Sequence, residues 1–127
     1  MTAPPFYGET APGAILAAVR IPTLHVTATE DVIRIPGYWS GADDRVAVFD
    51  ATGSTRKTLA VFDGGSHAIF TDRAVTGGAL LNPQVKQATR ELSLAFLRSV
   101  FDGNDEGLAR WPQQFGTLVT RYVRQAH

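Results

Sequence analysis

Two short runs of β-branched and apolar residues, and one long run with helical spacing, organise this chain. Thr23-Leu24-His25-Val26-Thr27-Ala28 predicts a strand, and Lys57-Thr58-Leu59-Ala60-Val61-Phe62 a second. Val85, Ala88, Thr89, Leu92, Ala95, Phe96 and Val100 then recur at three- and four-residue spacing, which predicts a helix with one buried face. Asn82 suits the N-cap of that helix and Pro83 its first helical position, because proline's missing N–H costs nothing in a first turn. Asp102-Gly103 ends it.

The intervening segments are less regular. Residues 1–12 contain Pro4, Pro5 and Pro12 and read as an irregular lead-in. Gly13–Val19 suits a short helix, which Ile21-Pro22 ends by forcing the residue before proline out of helical geometry. Val32–Ser40, with Pro36-Gly37 inside it, reads as loop. Ala42–Ala51 reads as a short helix, with a strand through Val46–Phe49 as the alternative. Residues 71–82, containing Gly77-Gly78, read as loop. Asp105–Arg110 suits a turn of helix, and Phe115–Arg124 a last helix burying Leu118, Val119 and Tyr122.

This order predicts an α/β fold of few parallel strands flanked by helices. It is one domain: residues 1–20 form the lead-in and short helix, 21–101 the two strands and long helix, and 102–127 a helical tail. Two parallel strands are too few, because parallel sheets are buried on both faces. A partner or a second copy of the chain is expected to complete the sheet.

Composition narrows the chemistry. At 127 residues and 44% hydrophobic, the chain has material for one core. Twelve basic and twelve acidic residues leave a net charge of +0, so nothing electrostatic favours nucleic acid or an anionic membrane as partner. The absence of cysteine excludes disulfides and thiolate chemistry. His25, His67 and His127 lie far apart without metal-ligand spacing, so neither a metal nor another cofactor is implied. No apolar run reaches the length that spans a bilayer, and Met1–Gly8 lacks the pattern of a secretory signal, so the expected compartment is the cytoplasm.

Both strands deliver an ionisable residue from the loop at their carboxyl end, where open α/β sheets place functional groups. Thr29-Glu30-Asp31 follows the first, and Asp63-Gly64-Gly65-Ser66-His67 the second. A carboxylate at Asp31 is suited to orient the imidazole of His67, and the paired glycines to turn the loop that carries it. Glu30 is the alternative acid. His25, in mid-strand, is expected to pack rather than react. Arg34 is expected to form a surface ion pair near Asp31. Phe6-Tyr7 and Tyr38-Trp39 are candidates for lining a pocket, with plain core or contact surface as the alternative.

Ile21-Pro22-Thr23-Leu24-His25-Val26…Glu30-Asp31, followed by Gly64-Gly65-Ser66-His67 and a closing helix with Phe96-Leu97, resembles the carboxy-terminal half of α/β-hydrolases of the dienelactone-hydrolase and esterase kind. The resemblance covers about residues 20–101 and keeps the order acid, then histidine. It implies that Asp31 is the acid and His67 the base of a Ser-His-Asp triad acting on an ester, lactone or similar acyl bond. The departure is the missing nucleophile. Residues 1–30 contain no serine, and none of Ser40, Ser54, Ser66, Ser93 and Ser99 sits in G-x-S-x-G. Ser66 adjoins the base without the elbow that activates a nucleophile. Two functions follow as expectations: a hydrolase half completed by an amino-terminal partner, or a non-catalytic remnant that dimerises through its exposed sheet. A nucleotide-binding module is disfavoured, because Gly64-Gly65 matches no phosphate-binding motif.

Overall fold

A computed structural model describes residues 12–70 and 78–126. The predicted lead-in before residue 12 and residues 71–77 of the predicted loop over 71–82 lie outside the described residues, as do Phe6, Tyr7 and His127, while residues 78–82 of that loop are helical. Helix α1 (Pro12–Ala17) leads to strand β1 (Thr23–Ala28). A small hairpin of β2 (Ile33–Ile35) and β3 (Tyr38–Ser40) follows, then α2 (Ala42–Ala51) and β4 (Arg56–Phe62). A 3-10 turn (His67–Phe70), the long α3 (Gly78–Asp102), α4 (Glu106–Phe115) and β5 (Val119–Ala126) complete the order.

The sheet runs β1-β4-β5, with β1 parallel and β5 antiparallel to β4. Strand β4 lies at the centre, and every residue from Lys57 to Phe62 is buried. Its alternating side chains feed two cores. Ala60 and Phe62, with Ala28 of β1, pack against Val85, Ala88 and Leu92 of α3 and Leu108, Trp111 and Phe115 of α4. Leu59 and Val61 point the other way, against Phe49 of α2. The result is a mixed sheet between helices, an α/β arrangement.

Lys57 anchors the second layer. Its ammonium is buried and donates to the carbonyls of Phe49 (2.7 Å), Asp50 (3.2 Å) and Thr52 (2.8 Å). Carbonyls at the end of α2 lack their full set of helical donors, Phe49 O receiving from the backbone only Thr52 N–H at 3.3 Å, and the negative end of the helix dipole favours a cation there.

Three expectations need correction. Phe115–Arg124 is not a helix: α4 extends to Phe115, and β5 follows one 3-10 turn later. Leu118, Val119 and Tyr122 fit helical spacing, but Tyr122 faces Trp111 while its neighbour Val123 packs on the opposite core. That is the two-residue period of a strand, and pairing satisfies the outer backbone edge of β4. Val32–Ser40 is a hairpin rather than a loop, with Ile33 opposite Ser40 and Ile35 opposite Tyr38. Pro36-Gly37 supplies its two-residue turn, with Gly37 at φ 78°, as proline then glycine do in type II turns. Finally, α3 already runs from Gly78, which places Asn82 and Pro83 inside the helix rather than at its start. Proline is tolerated there because it removes a single bond near the end of a helix otherwise held by its buried face.

Candidate active site

The carboxyl ends of β1 and β4 lie side by side, since Ala28 is opposite Phe62 in the parallel register. The chain leaves β1 through a turn closed by Asp31 N–H donating to the Ala28 carbonyl at 3.0 Å. It leaves β4 through Gly64 and Gly65, both at positive φ. The two loops are tied together twice. Thr29 N–H donates to the Phe62 carbonyl at 2.9 Å, and Gly64 N–H donates to Thr29 Oγ1 at 2.8 Å.

These ties bring the two predicted site residues into contact. His67 Nδ1 lies 3.0 Å from Asp31 Oδ1. The carboxylate is buried, with a side-chain exposure of 4%, whereas the imidazole is 55% exposed. One ring nitrogen is therefore engaged by an acid held in the protein, while the ring itself reaches the surface. Glu30, the alternative acid, is exposed, and it is Asp31 that meets the imidazole.

Two further groups contact Asp31, and the sequence pattern singles out neither. Thr27 Oγ1 donates to Oδ2 at 3.0 Å, from four residues back on the same strand. Arg45 of α2 places its Nε 3.3 Å from the same oxygen, with both side chains buried. Arg45 Nη1 in turn donates to the Ser40 hydroxyl and to the Gly41 carbonyl. The expected partner, Arg34, sits exposed on the hairpin. Arg45 was not legible because its reach depends on α2 folding back beneath the first loop. Thr27 has a sequence signal only in hindsight, as a strand hydroxyl one turn before an acid.

The other candidates separate. Tyr38 and Trp39 are adjacent on β3 and so point to opposite faces of the hairpin. Tyr38 is half-buried, whereas Trp39 is 60% exposed and lies over Gly41. The Ser66 hydroxyl accepts from Ala68 N–H at 3.3 Å, at the start of the 3-10 turn that carries His67. Among the described residues, no group of three or more potential ligands could hold a metal ion, and no helix is long and apolar enough to cross a membrane.

No family model, curated protein or solved structure matches this chain. The functional reading therefore rests on the site's own chemistry. An imidazole oriented by a buried carboxylate is arranged to accept and return a proton at its outer nitrogen.

His25 belongs to a different environment. Its ring meets Phe49 edge-on at 5.4 Å, and Nε2 is 3.1 Å from Thr23 Oγ1. Burial, and then the nearby charge of Lys57, hold its pKa below the ordinary value of 6.5. The unfolded chain therefore binds a proton there more readily than the folded one. The stabilising contribution is complete above pH 6.5 and is lost as pH falls through the lower folded value. Urea midpoints at pH 7.5 and 5.5 are expected to differ less in His25→Gln than in the native chain.

Proposed function

We propose that this chain is the acid–base half of a serine hydrolase of α/β-hydrolase type, acting on ester, lactone or similar acyl bonds. The observation that carries the reading is the 3.0 Å contact between a buried Asp31 and a surface-reaching His67, delivered from the carboxyl ends of adjacent parallel strands. General-base catalysis requires an imidazole oriented in this way, with its outer nitrogen open.

The nucleophilic serine and the oxyanion donors come from polypeptide outside these 127 residues, as an amino-terminal hydrolase half. In the completed site, the outer nitrogen of His67 takes the serine proton as the serine oxygen bonds to the acyl carbon. It returns that proton to the leaving oxygen as the old C–O bond breaks. Water repeats the cycle to release the acid. Asp31 holds the ring and stabilises the imidazolium. The outer edge of β1 carries no strand among the described residues and is where further sheet would join. Tyr38, half-buried on the hairpin, is the candidate to border the acyl group.

A second reading is a non-catalytic remnant that pairs with its own copy. It draws on the same open edge and on the apolar surface of Ile21 and Phe101, 71% and 79% exposed, since open edges and apolar patches invite association.

Incubation of the purified chain with an activated aryl ester tests the first reading. The expected result is no burst and no acylated serine by mass spectrometry. A serine of this chain acylated in the native protein but not in His67→Ala would overturn the claim that the nucleophile lies elsewhere. Light scattering weighs the second reading, for which a strict monomer is the adverse result.

A further inference from the structure

We propose that Arg45 is a positioning residue for the Asp31–His67 pair, supplying the counter-charge that holds Asp31 with Oδ1 toward the imidazole and so keeps His67 in the tautomer a base requires. The inference rests on the hydrolase reading but is carried by a separate set of contacts.

Asp31 is 2% exposed, and a carboxylate that far from water needs compensation. Thr27 gives it one hydrogen bond. The only cation in contact with it among the described residues, apart from the imidazole itself, is Arg45, 3.3 Å from Oδ2. The guanidinium is fixed on its far side by Ser40 and Gly41, so its position is set by β3 and α2 rather than by the acid. The two oxygens of Asp31 thus divide their work, with Oδ2 facing Thr27 and Arg45 and Oδ1 left to His67.

A purely structural role explains Arg45 poorly. Its Nε is close to the carboxylate without hydrogen-bond alignment, and its Nη2 is buried with no partner among the described residues. Buried donors left unsatisfied are costly, and an apolar side chain of similar volume commonly serves a fold as well or better. What an apolar side chain does not supply is charge beside Asp31. Without that charge Oδ2 keeps only its bond from Thr27, and nothing else among the described residues holds the carboxylate with Oδ1 turned toward Nδ1 of His67. The neutral imidazole then carries its proton on the outer nitrogen, where it no longer acts as a base.

The test is the ¹⁵N spectrum of His67 at a pH where the ring is neutral, in the full chain. The native protein is expected to show mainly the Nδ1–H tautomer. Arg45→Met is expected to reverse the dominant tautomer, and Arg45→Lys, which keeps the charge, to restore it. Should Arg45→Met fail to fold by circular dichroism, Arg45→Gln removes the charge while keeping a donor amide, and carries the same expectation. Asp31→Asn serves as the reference. If Asp31→Asn changes the tautomer and the charge-removing Arg45 variant does not, the role of Arg45 is overturned and the dyad stands. If Asp31→Asn itself changes nothing, the dyad reading fails as well.

Discussion

Asp31→Ala is expected to destabilise the protein by about 3–5 kcal/mol, the range for removing one partner of a buried ion pair. The magnitude comes from what is left behind. Arg45 has 8% of its side chain exposed and Asp31 4%, so truncation strands a guanidinium that water does not reach. Thr27 loses its acceptor at the same time. Asp31→Asn is expected to cost less, because the amide oxygen still accepts from Thr27 while the charge alone is lost. Urea denaturation of the three proteins at neutral pH measures the order. Equal stability of Asp31→Ala and the native chain would mean that the carboxylate is solvated, and the pair with Arg45 immaterial.

Gly65→Ala is expected to be the most damaging single-methyl change near the site, at about 2–4 kcal/mol, from left-handed backbone strain added to overpacking. Gly65 sits at φ 80°, and a Cβ there would lie 2.2 Å from Ile69 Cδ1 and 3.1 Å from Ile69 Cβ. Ile69 is fully buried, so its side chain has nowhere to retreat. The neighbouring Gly64 is the control. Its φ of 72° is similar, but a Cβ would meet only Leu81 Cδ2 at 3.7 Å. Gly64→Ala is therefore expected to show the backbone penalty alone, about 1–2 kcal/mol. Because Gly65 and Ile69 flank His67, the Gly65 variant is also expected to weaken the contact with Asp31. Thermal melts rank the two variants, and equal losses would remove the steric part of the argument.

The legible parts of this fold were those whose pattern is local. Both parallel strands and the buried face of α3 follow from periodicity and β-branching, whereas residues 42–51 suit a helix and a strand alike. The pairing of Asp31 with His67 follows from two strands ending in polar loops. What escaped depends on contacts across the chain. Residues 119–126 carry apolar side chains at spacings that suit a helix as well as a strand, and only the vacant edge of β4 decides between them. The hairpin at 33–40 is too short to show a period, yet its Ser40 and the following Gly41 anchor the guanidinium behind the acid. Arg34 and Arg45 look equivalent in sequence. Burial by the returning α2 selects Arg45.

The decisive experiment concerns the nucleophile, which the proposed function assigns to a companion polypeptide. Any hydrolase-like polypeptide encoded upstream of this chain is to be produced together with it and treated with a fluorophosphonate that labels activated serines. The account predicts one labelled serine, within G-x-S-x-G of the companion, whose labelling needs this chain and is lost in His67→Ala. A companion without such a serine, or labelling indifferent to His67→Ala, would contradict it.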